Sequence, residues 1–498
     1  MQRDEGDLGP FSDKEDWNVD NSRQTNRGTS LSRRTFIGRS ASLAAGMAVV
    51  SAGPAIAQAA GSASEKLGVG IIGCGGRGMG HMGTWKWLGE NGGNVEVVAV
   101  CDVYRPRLDR AAQAAANAKK YMDYRELLAD PNVAMVSITT PDHHHGQQAI
   151  DAMRAGKDVY CEKPLTHWSQ FEVAREIART ARETGRVFQL GTQGMSDPAW
   201  WQMKTLVQEG LIGQPLHAEC GIFRVGDWGE RGMPVDDPNA KPGPDLNWDA
   251  FLGDRPKRDF DVSRFFRWRM YEDYAGGPST DLYPHSYTPV TTMLDLKAPA
   301  YAVGTGGIYR YSLSETQKEN PDEKVEREVP DTFNMLVDYP GGITCALLGT
   351  QGNGFQGTGA RGSGAKVPVL RGWEGSLTIQ GNEIVFEPSD STNKEAQRYP
   401  IQGEENMGEY FRKFVECVRA GNPDTQSPAE RAYHTPVSYT HLRAHETVLD
   451  LVCRLLLEKK KNITKKKQTN NRKCKLILEM ALLSDLNSSY TTTTYNTD

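Results

Sequence analysis

The feature that most constrains this chain is a glycine-rich turn in a fixed setting. An apolar run from Leu67 to Ile72 leads directly into Gly73-Cys74-Gly75-Gly76-Arg77-Gly78, and a helix-compatible stretch follows to Leu88. A buried strand that turns sharply into a helix leaves the first N–H groups of that helix unpaired, and they attract an anion. In the spacing G-x-G-x-x-G, Gly73 permits the tight turn, Gly75 lets the backbone approach a pyrophosphate, and Gly78 lets helix and strand pack closely. A second apolar strand, Val95 to Cys101, ends in Asp102, where a carboxylate can accept hydrogen bonds from an adenosine ribose. Strand, loop, helix, strand and acid together predict a dinucleotide-binding unit.

Asp102 favours NAD, because a carboxylate repels the 2′-phosphate of NADP. Arg105 and Arg107 keep NADP open, although the sequence reads them as solvated side chains around Pro106 at the start of the next helix. Further on come a helix at Tyr124 to Leu128, a strand at Ala134 to Thr139, a helix from His145 to Ala155 and a strand at Asp158 to Cys161. This alternation predicts an α/β fold with a doubly wound parallel sheet. Ligands of such sheets bind beyond the carboxyl ends of the strands. Two polar clusters lie there: Thr140-Pro141-Asp142-His143-His144-His145 and Glu162-Lys163-Pro164. Consecutive histidines point in different directions and no carboxylate spacing accompanies them, so no metal site is expected. His145 is expected to pack at a helix N-terminus beside the cofactor.

GCGGRG, TPDHHH and CEKP, in this order and spacing, resemble the glucose–fructose oxidoreductase / inositol dehydrogenase / rhizopine catabolism (Gfo/Idh/MocA) family over roughly residues 66 to 436. The resemblance implies that the nucleotide is held by the loop residues Gly73, Gly75, Gly76, Arg77 and Gly78, with Asp102 at the ribose. Thr140, Pro141, His145, Glu162 and Lys163 would complete its surroundings. Lys163 is then expected beside the nicotinamide and the substrate hydroxyl, with a cis bond before Pro164. The stretch Gly276 to His285 resembles the family's GG-x-x-x-D-x-x-x-H motif, whose acid and histidine join that lysine. On one helix, Asp281 and His285 at i and i+4 share a face, and Pro284 then requires a first-turn position. His285 is the expected general base, since an ordinary imidazole pKa of ~6.5 suits removal of a hydroxyl proton. Asp281 would orient it or bind a substrate hydroxyl. Aromatic and basic residues from Phe265 to Tyr274 fit interface packing or a sugar-stacking surface.

The resemblance further implies a second α/β domain on a large, mostly antiparallel open sheet, and a homo-oligomer. The expected reaction is hydride transfer to or from a ring carbon of a sugar, cyclitol or sugar derivative. The alternatives are a glycoside hydrolase that oxidises the sugar transiently and a non-catalytic sugar-binding protein.

The 498 residues, 38% hydrophobic and 24% charged with a net charge of -5, suit a soluble chain whose partner is a small molecule rather than nucleic acid. Eight cysteines stand singly and read as small core side chains. Residues 1–31, polar and charged without hydrophobic periodicity, read as a disordered leader. Residues 32–63, with Ser32-Arg33-Arg34-Thr35-Phe36-Ile37 before a mild Ala-rich run, resemble a twin-arginine signal. The expected location is thus periplasmic or secreted, with no membrane span in the mature form. Residues 64–190 form the expected nucleotide domain and 191–436 the substrate and oligomerisation domain. After Pro436 the composition shifts abruptly to Lys-, Asn- and Thr-rich sequence, and 437–498 reads as a non-native tail.

Overall fold

The computed structural model describes residues 66–434, apart from 228–229, 356 and 358–365. The expected leader, export signal and tail lie outside these residues.

The first sheet has six parallel strands: β1 (Leu67–Ile72), β2 (Val95–Cys101), β3 (Lys119–Tyr121), β4 (Met135–Ile138), β5 (Asp158–Glu162) and β6 (Phe188–Gly191). Their spatial order, β3-β2-β1-β4-β5-β6, is that of a doubly wound nucleotide-binding sheet. Helices cover both faces of such a sheet, so its central strands are apolar throughout; every residue of β4 and β5 is buried. The order reverses between β1 and β4, which opens a crevice at their carboxyl ends. Both polar clusters and the glycine turn converge on that crevice.

The second sheet has eight strands: β7 (Pro215–Phe223), β8 (Tyr301–Gly307), β9 (Thr332–Tyr339), β10 (Ile343–Thr350), β11 (Lys366–Gly372), β12 (Gly375–Gln380), β13 (Glu383–Pro388) and β14 (Gln397–Pro400). They lie in the order β14-β13-β12-β11-β7-β10-β9-β8, with only the β7 and β10 pair parallel. In β9 the residues alternate between buried and more exposed, as expected where one face packs and the other stays open. The buried face rests on the helix Tyr283–Met293, which carries His285 at its start.

The chain does not leave the first sheet for good at residue 191. After β14 the chain returns to the first sheet, where the helix Met407–Ala420 packs on Gly76–Leu88. Phe411 lies 4.7 Å from the Trp85 ring and 4.4 Å from Tyr160, and all three are buried. Ala429 and Ala432 complete the apolar layer under β4 to β6. The sequence pattern carries no sign of this return, because it depends on partners hundreds of residues apart.

Candidate active site: a cleft from the glycine turn to Lys163

A cleft of about 1030 Å³ runs from the glycine turn and Asp102 to Lys163 and His285. At its phosphate end Gly73 has φ +91° and donates its N–H to the Cys101 carbonyl at 2.8 Å. A side chain on Gly78 would place its Cβ 2.0 Å from the Gly73 carbonyl oxygen, so the helix lies against the turn as closely as glycine allows. By contrast a Cβ on Gly75 would meet only Arg107 Nη1, at 3.5 Å, and one on Gly76 nothing within 4 Å. The open side of the turn is thus a backbone-lined cradle at a helix N-terminus, and its residues fit a pyrophosphate.

Asp102 is buried and braces the turn. Its Oδ2 accepts the Cys74 N–H at 2.6 Å and its Oδ1 the Tyr104 N–H at 2.9 Å. Burial pushes its carboxyl above the ordinary range, and Arg107 is the strongest group pulling it back down. Arg105 stays solvated, as the sequence suggests, but Arg107 is drawn in. Arg105 Nε pairs with Asp245 at 2.7 Å, and Arg107 Nε with Asp236 at 2.6 Å. Both acids belong to a segment of the second half that lies over this end of the cleft. Its backbone joins in: Arg105 N–H donates to the Asp245 carbonyl at 2.8 Å, and Asn247 N–H to the Val103 carbonyl at 2.9 Å. Tyr104, Leu246, Trp248, Phe251, Phe265 and Phe266 form the apolar layer beneath it. The aromatic cluster is therefore mostly packing between the two halves, while Trp268 and Arg269 line the cleft.

The middle of the cleft is built on helix Asp142–Arg154, which starts three residues earlier than the sequence indicates and takes all three histidines into its first turns. His145 ties two loops together, with Nδ1 2.6 Å from the Pro164 carbonyl and Nε2 2.8 Å from that of Thr140. Thr140 Oγ1 donates to Gln148 Oε1 at 2.8 Å, and Pro141 stands just before the helix. His143 and His144 both place Nε2 2.8 Å from the Phe251 carbonyl, where burial lowers their pKa values, that of His144 to about 4. Among the described residues no group of three His, Cys, Asp or Glu is placed to hold a metal.

Glu162 acts on the loop through other residues. Its Oε1 accepts from Arg77 Nη2 at 2.7 Å and Gln193 Nε2 at 2.7 Å, and lies 2.8 Å from His81 Nε2. Burial opposes ionisation of Glu162, but Arg77 and His81 outweigh it and hold the pKa well below the carboxylate range. Burial lowers the His81 pKa against the pull of Glu162. Gln193 lines the cleft and also donates to the Tyr160 hydroxyl at 2.8 Å.

At the far end the Lys163–Pro164 bond is cis. Lys163 Nζ donates to Asp281 Oδ1 at 2.7 Å and to the Asp281 carbonyl at 2.8 Å. Asp281 therefore serves Lys163 rather than orienting His285, and it stands behind the lysine instead of lining the cleft. Burial opposes its ionisation; Lys163 and Arg269 overcome that and hold its pKa far below normal. Asp281 ends one short helix and His285 lies in the first turn of the next, with Leu282 between them and Pro284 also in that first turn. His285 lines the cleft, and its buried Nδ1 has no hydrogen-bond partner among the described residues. Burial, followed by the Lys163 charge, lowers its pKa to about 3, far from the ordinary value on which the base assignment relied. Asp142, which the sequence left without a role, is buried with Arg269, Asp281 and Lys163 around it, and burial raises its pKa to about 7.

Residues 67–192 match the model of the Gfo/Idh/MocA oxidoreductase family, described by its NAD-binding Rossmann fold. Inositol 2-dehydrogenase of Salmonella typhimurium is 36% identical over 151 residues, 30% of this chain and 44% of the relative. The scyllo-inositol 2-dehydrogenase (NAD(+)) of Bacillus subtilis is 32% identical over 142 residues, 28% of this chain and 41% of the relative. The chain thus matches less than half the length of these curated relatives. Among solved structures, a levoglucosan dehydrogenase in complex with NADH and levoglucosan has a TM-score of 0.54 at 17% identity, covering 75% of this chain and 95% of the other. An NAD binding oxidoreductase from Klebsiella pneumoniae reaches 0.55 at 22% identity, covering 76% and 96%. These structures share the two-sheet α/β fold. Residues 67–192 thus match the NAD-binding Rossmann fold by which the Gfo/Idh/MocA oxidoreductase family is described.

Proposed function

We propose that the protein is an NAD-dependent oxidoreductase acting on a ring carbon of a sugar, cyclitol or sugar derivative. The observation that carries this reading is the continuity of the cleft: the glycine cradle and Asp102 form one end, Lys163 and His285 the other. NAD, when bound, supplies the acceptor or donor for a hydride. Lys163, fixed by two bonds to Asp281, offers an N–H to a substrate hydroxyl oxygen. His285, which lines the same end of the cleft, takes the proton of that hydroxyl in this reading. Its low basicity is a property of the protein without substrate; an alkoxide forming beside it supplies the charge that burial otherwise denies the imidazolium. Trp268 and Arg269 give the site an aromatic and a cationic wall, which suits a polyhydroxylated ring. The names of the relatives, inositol and levoglucosan dehydrogenases, point to the same substrate class.

The cofactor is held tightly under this reading, because the segment over Asp102 closes the adenosine end with ion pairs, backbone bonds and an apolar layer. Tight holding agrees with export by the twin-arginine route, which carries folded proteins, to a compartment without a nucleotide pool. Purified protein is then expected to keep near-stoichiometric nucleotide through gel filtration and to turn over many equivalents of the right substrate pair with no NAD added. Isolation empty, with activity only at millimolar added NAD, rejects tight holding. Release of an aglycone with no net absorbance change at 340 nm assigns the hydrolase reaction instead.

A further inference from the structure

At the adenosine end of the cleft an acid from the second half of the chain stands beside the Rossmann acid. Arg107 Nε and Asp236 Oδ2 are 2.6 Å apart, with the two side chains only 15% and 23% exposed. The Arg107 guanidinium is fixed on both sides: its carbon lies 5.1 Å over the Phe266 ring, and Nη1 comes 3.5 Å from where a Gly75 Cβ would stand. It is also the cation that most favours ionised Asp102. Arg110, the next cation along that helix, reaches inward to the Cys74 carbonyl at 3.3 Å. The space beside Asp102 is therefore bordered by two carboxylates, and its best-placed arginine is already paired.

We propose that Asp236 sets cofactor choice: by pairing with Arg107 from across the cleft it selects the dinucleotide with a free 2′-hydroxyl, NAD, over the 2′-phosphorylated NADP. The proposal rests on Asp102 lying at the adenosine ribose. A 2′-phosphate needs a cation, and to recruit Arg107 it must break a largely desolvated ion pair and leave Asp236 uncompensated next to a new negative charge. NAD makes no such demand. Cofactor selection is thus divided between the glycine-loop domain and a residue from outside it.

The test is titration of NAD and NADP into nucleotide-free full-length protein, as wild type, Asp236→Asn, Asp236→Ala, Asp102→Ala and the double variant Arg107→Ala/Asp236→Asn. Thermal melts confirm that each is folded, and the two Asp236 variants guard against misfolding of either. The expected result is at least a tenfold shift of the affinity ratio toward NADP in Asp236→Asn and Asp236→Ala, lost again in the double variant. If Asp236 only holds Arg107 for the pyrophosphate, both dinucleotides weaken together and the ratio stays constant, which overturns the proposal. An Asp102→Ala protein that binds NAD as the wild type does overturns the ribose placement and this proposal with it. Weakened NAD binding in Asp102→Ala with an unmoved ratio in the Asp236 variants overturns the proposal alone.

Discussion

Lys163 and Asp281 are joined twice, the ammonium donating to both the carboxylate, at 2.7 Å, and the backbone carbonyl, at 2.8 Å, of the same residue. A lysine held in this way has a fixed position, and its partner turns an otherwise mobile side chain into a directed donor. Lys163→Met and His285→Ala are expected to lower turnover by ~10²–10⁴ while NAD titrates normally, as for lost acid–base groups. Asp281→Asn is expected to lower kcat more than it raises KM, since it acts through Lys163. Turnover unchanged in Lys163→Met and His285→Ala would remove them from the reaction.

The glycine turn makes a pair of contrasting predictions. Gly78→Ala forces a Cβ to within 2.0 Å of the Gly73 carbonyl and is expected to lower the melting temperature sharply. Gly75→Ala has room for its methyl and an ordinary φ of -68°, so it is expected to melt like the wild type yet bind NAD more weakly. Melting curves with and without NAD separate the two effects.

Two buried acids make stability fall as the pH rises from about 4 to about 8. Burial raises Asp142 to about 7 and Glu230, bonded to Gln351, to about 8. A carboxyl whose pKa is raised by folding contributes stability that is fully present below its unfolded value near pH 4 and is lost as the pH rises through its folded value. At roughly 1.4 kcal/mol per pKa unit, the loss across pH 4 to 8 is on the order of a few kcal/mol for each acid. Asp142→Asn and Glu230→Gln are expected to flatten that slope in urea titrations at successive pH values. A slope unchanged in both variants contradicts the burial argument.

His285 works in the opposite sense. Its folded pKa of about 3 lies below the ordinary imidazole value, so its contribution is complete above pH 6.5 and is lost as the pH falls through 3. His285→Gln is expected to make the protein less sensitive to acid. The imidazole is neutral throughout the working range, so the nucleotide-free protein is expected to show no titration of this ring near pH 6.5 by NMR.

How much of this was legible in the sequence varies along the chain. β1 and β2 could be read to the residue, because each is an apolar run ended by punctuation: Gly73 for one, Asp102 for the other. The start of the helix at Asp142 could not, since Asp142 to His145 are polar residues that suit a loop equally well. Lys163, Asp281 and His285 were recognisable from their motifs, but which of them Asp281 serves was not. That depends on the 2.7 Å contact from an ion 118 residues away. Asp236 and Gln193 carried no signal, because a single Asp or Gln acquires meaning only from the partner that folding brings to it. The pKa values of His285 and Asp142 depart from ordinary ones for the same reason: burial is a property of the assembled site.

The return of the chain to its first sheet sets the timing of assembly on the ribosome. The Tyr410 hydroxyl closes onto the Leu190 carbonyl across 220 residues, and Thr425, Ser427, Ala429 and Ala432 complete the packing around β6. The nucleotide-binding sheet therefore leaves the exit tunnel with its edge unfinished and waits for almost the last described helix to be synthesised. The glycine turn emerges early, but the residue that closes onto β6 emerges 220 residues after the strand it completes.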